Sequence, residues 1–251
     1  MQLKRIIYLI IEKLLSKSTD RIVCISEAEQ QTALFENICK KDKLCLIPNG
    51  IDIKKVINAC PVTRKSIGFN NDDYIVGMIG RLSRQKAPDV FMRTAEIIRK
   101  TIPNVAFIIV GEGEEREEIE GYARERKIPL FVTGWVDNPY SYLKIFDVSV
   151  LLSRWEGFGL AIAEYMAARK PIVATRIDAI PTLIEDGEDG LLVNVDSPMD
   201  AAEKVIYLYK HKDIALKMTE KAFEKVSLKY DISRVAEQHC RLFDSLMGGE
   251  L

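Results

Sequence analysis

Glu156 and Glu164 stand with seven residues between them, on either side of the turn Gly157-Phe158-Gly159, and Leu160 opens what reads as a helix. Such a turn presents backbone amides that have no partner inside the helix, and with the helix dipole they favour a phosphate. Arg81 and Lys86, in Gly80-Arg81-Leu82-Ser83-Arg84-Gln85-Lys86, can bring two positive charges to the same place. An anion held by amides, an arginine and a lysine suits a leaving pyrophosphate. The two acids then have other tasks. Glu164, about a turn and a half into the helix, can accept hydrogen bonds from two adjacent hydroxyls, as on a ribose. Glu156, just before the turn, reaches the other side of the phosphates, where a sugar hydroxyl is the natural partner. Each residue alone has a plainer reading: a solvated helix glutamate, two surface cations, an acid that merely favours a helix N-terminus. It is their joint placement that argues for a site.

That placement depends on the elements around them. Short apolar strands are predicted at Tyr74–Ile79, Val105–Val110, Leu130–Thr133, Val148–Leu152, Ile172–Ala174 and Leu191–Val193. Helices are predicted at Pro88–Thr101, Glu114–Arg126, Leu160–Ala168, Asp200–Lys210, Ile214–Ser227 and Ile232–Leu246. Continuous apolar strands alternating with helices imply a parallel sheet covered on both faces, an α/β doubly wound fold that binds ligands at the carboxyl ends of its strands. Four glycine-bearing loops fall on that rim: Gly80 to Lys86, Gly111-Glu112-Gly113, Gly134-Trp135-Val136, and the turn between the two acids. Upstream, Arg21–Ser26 and Leu44–Ile47 read as strands, and Glu27–Ile38 as a helix capped by Ser26 with Glu29 in the capping-box position. A looser segment runs from Pro48-Asn49-Gly50 to Asp73. The N-terminal Met1–Ser18 segment carries Ile7, Ile10, Ile11, Leu14 and Leu15 at helical spacing. The expectation is a helix packed on a core, with a helix lying on a membrane surface as the minority reading. Its six-residue apolar run is too short for a spanning helix, which needs about 20 apolar residues, or for a signal peptide.

Composition narrows the classes. The 251 residues are 47% hydrophobic and 29% charged, the profile of an ordinary globular chain. With 36 basic residues against 37 acidic ones, nothing suggests a nucleic-acid partner. The cysteines, Cys24, Cys39, Cys45, Cys60 and Cys240, show no CxxC pair or zinc-like spacing, which argues for reduced thiols in a cytoplasmic protein. Rival phosphate motifs fail. No GxxxxGK[ST] occurs, and Gly111-Glu112-Gly113-Glu114-Glu115-Arg116 places acids where a dinucleotide pyrophosphate would be repelled.

At these residues the chain resembles the retaining, nucleotide-sugar-dependent glycosyltransferases of the GT-B fold, whose EX7E signature matches Glu156 and Glu164. Ile47-Pro48-Asn49-Gly50-Ile51-Asp52 is similar to that family's interdomain junction, and Gly80-Arg81-Leu82 with Gln85-Lys86 to its diphosphate loop. Val110-Gly111-Glu112-Gly113, Gly134-Trp135-Val136 and Glu185 to Val193 are similar to later motifs. The resemblance implies catalytic roles for Glu156, Arg81 and Lys86. It implies donor binding by Arg81, Lys86, Gly134, Val136, Glu156, Gly157, Phe158, Gly159, Leu160 and Glu164, with Val136 beside the base through its backbone. The donor would be a UDP- or GDP-sugar, with no metal and no cofactor, and the setting polysaccharide or glycolipid assembly. Residues 1–52 would be the end of an acceptor domain and hinge, 53–228 the Rossmann-like donor domain, and 229–251 a helix crossing back. A first domain is largely lacking. A separate polypeptide could supply it, the chain could self-associate, or the chain could be a remnant. An enzyme and a nucleotide-sugar-binding module without turnover both stay open, with epimerase chemistry third; the location expected is the cytoplasm, with the inner membrane surface as a second option. Two positions depart from the family pattern: Ala87, where glycine is frequent, and Thr182, where glutamate is frequent.

Overall fold

The computed structural model describes residues 2–248; Met1 and the last three positions of the predicted 229–251 segment lie outside the described residues. The chain begins with α1 (Gln2–Leu15), β1 (Ile22–Cys24), α2 (Glu27–Phe35), β2 (Leu44–Leu46) and α3 (Ile53–Ile57). It continues with β3 (Tyr74–Ile79), α4 (Pro88–Ile98), β4 (Val105–Val110), α5 (Arg116–Glu125), β5 (Leu130–Val132) and α6 (Tyr140–Leu143). Then come β6 (Val148–Leu151), α7 (Leu160–Ala167), β7 (Ile172–Thr175), α8 (Ile180–Leu183), β8 (Leu191–Val193), α9 (Pro198–Lys210), α10 (Lys212–Lys229) and α11 (Ile232–Leu246).

Six strands form one parallel sheet in the order β5-β4-β3-β6-β7-β8. Counted from β3, this is the 3-2-1-4-5-6 order of a dinucleotide-type doubly wound sheet, and the order reverses between β3 and β6. All the strands but the half-buried edge strand β5 are largely buried, because both faces are covered. On one side α4, α5 and α9 pack over Met78, Phe107 and Val150. On the other α7 and α10 pack over Ile75, Ile108 and Leu151. At the reversal only Val76↔Val148 and Gly77↔Ser149 pair. A side chain at Gly77 is impossible there, since its Cβ would lie 2.1 Å from the Phe146 ring.

A second, two-stranded parallel sheet joins β1 to β2 over three register pairs. Ser26 caps α2 as expected, its hydroxyl accepting from the Glu29 amide at 3.1 Å. The Glu29 carboxylate reaches back one residue further than a standard capping box, to the Ile25 amide at 2.7 Å. Outside both sheets, Ile51 and Asp231 form an isolated parallel bridge. The Ile51 amide donates to the Tyr230 carbonyl at 2.8 Å, and the Ile232 amide to the Ile51 carbonyl at 2.9 Å. A Cβ at Gly50 would sit 2.8 Å from the Ile232 Cα, so only glycine permits that approach.

Two expectations need correction. The looser segment before Asp73 contains α3, capped by the Asp52 side chain, and a 3-10 turn at Arg64–Ile67. The apolar face of α1 is not seated on a core. Ile6, Ile7, Tyr8, Ile10, Ile11, Leu14 and Leu15 are all exposed. Its opposite, narrow side carries the contacts: Arg5 pairs with Glu36, and the buried Ser16 hydroxyl donates to the Ile38 carbonyl at 2.7 Å. A three-residue strand pair offers too little sheet to cover the remaining face. Among the described residues no helix is long and apolar enough to cross a membrane.

Candidate functional site

Parallel strands deliver their following loops to one rim, and the reversal between β3 and β6 opens a crevice there. The β3 loop carries Arg81 and Lys86, and the β6 loop carries Glu156 through Leu160. Gly159 caps α7 with φ +93°, a conformation an L side chain resists, and so turns the chain into the helix. Among the described residues the amides of Gly157, Phe158, Gly159, Leu160 and Ala161 donate to no protein acceptor. Unpaired amides at a helix N-terminus are of the kind that favour an anion. The Phe158 ring is buried edge-on against Tyr230 at 5.5 Å, which leaves only its backbone to the turn. Leu160 is exposed.

The charged residues are brought together in a way that spacing does not suggest. Lys86 and Glu156 form an ion pair, and the same Glu156 oxygen accepts from the Ser153 hydroxyl at 2.7 Å. Glu156 is buried. Its amide donates to Asp178 Oδ2 at 2.8 Å, and Asp178 itself adopts φ +46° to reach it. Glu164 is half-buried one turn into α7 and accepts from the Tyr140 hydroxyl at 3.0 Å. Burial pushes its carboxyl above the usual glutamate range, against the opposing pull of the Tyr140 hydrogen bond and the Lys86 charge. Arg81 is different. Its side chain is 71% exposed and its Nε donates to Glu114 at 3.1 Å, so it stands at the open edge of the crevice.

Gly134 and Val136 follow β5. Gly134 is buried with φ +71°, and a Cβ there would lie 3.0 Å from an Arg116 nitrogen and 3.1 Å from a Glu112 oxygen. Val136 packs partly against the core. Trp135 beside it and Trp155 in the β6 loop are both exposed on the same rim. Ala87, at the entry to α4, is buried with φ +51°, a left-handed conformation costing about 1–2 kcal/mol that glycine would avoid. A cavity of 460 Å³ lies on the other side of the turn, between the two sheets, lined by Ile25, Ser26, Pro48, Phe158, Thr182 and Tyr230. It shares only Phe158 with the predicted donor set.

Sequence reasoning missed Ser153, Tyr140, Asp178 and Arg154. The last stands two residues before Glu156. Its guanidinium contacts Asp196 at 2.7 Å, Asp89 at 2.8 Å and the Arg84 carbonyl at 3.0 Å.

Comparison with known proteins bears on the family and the fold. The profile of the family "Glycosyl transferases group 1" matches residues 61–225. The chain is 30% identical over 212 residues to the UDP-Gal:alpha-D-GlcNAc-diphosphoundecaprenol alpha-1,3-galactosyltransferase of Escherichia coli. That match covers 80% of this chain and 55% of the relative, so the chain spans about half that enzyme's length. A Staphylococcus aureus TarM mutant, solved with Fondaparinux, alpha-GlcNAc-glycerol and UDP, superposes with a TM-score of 0.77 at 27% identity, covering 91% of this chain and 45% of that one. The C-terminal domain of the group 1 protein LpcC from Francisella tularensis superposes with a TM-score of 0.64 at 26% identity, covering 73% of this chain and 100% of that one. The chain therefore belongs to the glycosyl transferases group 1 family, and its six-stranded sheet has the Rossmann-like fold of the C-terminal half of a GT-B glycosyltransferase.

Proposed function

We propose that the chain is the donor-binding part of a retaining glycosyltransferase that moves a sugar from a nucleoside diphosphate to an acceptor in polysaccharide or glycolipid assembly. The observation that carries this reading is the convergence at the sheet's reversal of the free α7 amides, Lys86 with Glu156, and Glu164 one turn along. The amides and Lys86 take up the charge that develops on the leaving diphosphate, with Arg81 closing over it from the edge. No metal is needed for that task. An ammonium has three donors, so Lys86 can keep Glu156 and still reach a phosphate oxygen. Glu156, held by Lys86, Ser153 and Asp178, then presents its remaining lone pairs to the donor sugar. Glu164 holds the ribose through the oxygen that Tyr140 does not use. The base rests by Val136, against backbone groups that Gly134 brings close. UDP is favoured over GDP, because the E. coli relative is named for UDP-Gal and the TarM mutant was solved with UDP.

A second reading has support of its own. The exposed face of α1 and the three-residue strand pair suit packing against a Rossmann-like first half. Without it the chain would bind a nucleotide sugar and not turn it over. Sugar release from labelled UDP-sugars, with and without a polypeptide carrying such a half, separates the two. Turnover by the chain alone defeats the module reading, and failure to bind UDP at all defeats both.

A further inference from the structure

We propose that Arg154 is a positioning residue for the diphosphate end of the donor site, a bracket that holds Lys86 at the α7 amides. This rests on the donor-site reading above. The Arg154 side chain is only 18% exposed, although it belongs to a surface loop. Its guanidinium spends its donors in three directions: Nε on Asp196 Oδ1 at 2.7 Å, Nη2 on Asp89 Oδ2 at 2.8 Å, and Nη1 on the Arg84 carbonyl at 3.0 Å. Its own amide donates to the Gln85 carbonyl at 2.8 Å, and Gln85 Nε2 returns a bond to the Trp155 carbonyl at 3.0 Å.

The consequence follows from where those partners lie. Arg84 and Gln85 immediately precede Lys86, and Asp89 is in the first turn of the helix that follows it. Asp196 belongs to the loop after β8. One planar cation therefore fastens the β3 loop, the start of α4 and the β8 loop to the β6 loop that carries Glu156. Lys86 lies between the two fastened points, Arg84–Gln85 and Asp89, so its backbone is fixed relative to the turn it serves. Only a forked, permanently charged group can satisfy three acceptors that diverge in this way; a lysine ammonium is a point charge on a flexible stem. Asp89 shows the strength of the hold. Burial would raise its carboxyl, but the hydrogen bonds and charges of Arg154 and Arg93 outweigh this and keep it below the usual aspartate range. Arg154 reaches no predicted donor-binding side chain directly. It acts through Lys86, and its removal should therefore be felt by a phosphate and not by a nucleoside.

Calorimetric titration of UDP and of uridine into the full chain tests this, using wild type, Arg154→Ala, Arg154→Lys, Asp196→Asn, Lys86→Met and the Arg154→Ala/Lys86→Met double variant. Arg154→Ala should weaken UDP binding by about tenfold or more and uridine by less than about twofold, and Arg154→Lys should not restore it. Asp196→Asn removes one leg at a partly exposed carboxylate, so it is the gentlest on folding. It should give a smaller loss in the same direction. In the Lys86→Met background, Arg154→Ala should change UDP affinity by less than about twofold, because the group it positions is gone. Equal losses for UDP and uridine, additive losses in the double variant, or wild-type UDP affinity in Arg154→Lys overturn the bracket. The donor-site reading survives those three results. Failure of the wild-type chain to bind UDP overturns the donor-site reading and the bracket together.

Discussion

Replacing Glu164 by glutamine removes a charge and one acceptor while keeping shape. In the structure one oxygen of Glu164 already accepts from Tyr140 at 3.0 Å, which leaves the other for a ribose hydroxyl pair. A hydrogen bond to a charged group contributes about 1.5–3 kcal/mol, and an amide NH₂ facing hydroxyl donors forfeits it, so nucleoside affinity should fall roughly 10- to 100-fold. Uridine and UDP share the ribose, so both should lose the same factor in a calorimetric titration. The unliganded protein should respond in the opposite sense. The native carboxyl titrates above its unfolded value because of burial, so its charge is a liability above the native pKa, and protonation relieves it below. Near neutrality Glu164→Gln should therefore melt higher than wild type, and the gap should narrow as the pH falls through the raised native pKa. Uridine binding by wild type should weaken over the same acidic range and that of the variant should not. If UDP weakens while uridine holds, Glu164 does not touch the ribose and its assignment is refuted.

Lys86→Met should weaken UDP more than uridine, a ratio that partial unfolding cannot mimic; matched losses would remove Lys86 from the phosphates. Chelation with EDTA should leave UDP affinity unchanged, and a strict requirement for added Mg²⁺ would overturn the role given to Lys86, Arg81 and the α7 amides. Lys170 is half-buried and donates to the Lys144 and Phe146 carbonyls, each at 2.7 Å, and desolvation pulls its pKa from 10.5 down to about 8. The unfolded chain holds this proton more tightly, so stability attributable to Lys170 should rise between about pH 8 and 10. Urea midpoints of wild type against Lys170→Met across that range check it, and a gap that stays constant with pH counts against it.

The strands Tyr74–Ile79 and Val105–Val110 have the bounds predicted for them, because each is an apolar run, interrupted only by Gly77 in the first, stopped by glycine on one side and polar residues on the other. Helices α6 and α8, four residues each, were illegible, since one turn is too short to show a period. Periodicity identified the apolar face of α1 but could not say what that face touches, which is why its outward orientation came as a correction. The site divides the same way. Residue types at the glycine turns marked the rim as the candidate site. The pairing of Lys86 with Glu156 and the bracket of Arg154 on Asp89 and Asp196 link residues more than 40 positions apart. Such links are set by tertiary packing, which no local pattern encodes. Ala87 shows the family pattern and the physics meeting: the position where glycine is frequent is one where the backbone is left-handed.

The chain's only tryptophans, Trp135 and Trp155, stand in the loops after β5 and β6, both in contact with solvent. Indole emission from this protein therefore samples the crevice and little else. Because both rings are wet in the folded state, denaturation should shift the emission maximum only slightly, whereas a nucleotide settling between the loops should quench or blue-shift it. The molecule is thus supplied with an optical readout of occupancy that needs no label, and single Trp→Phe replacements would tell which loop the ligand meets first.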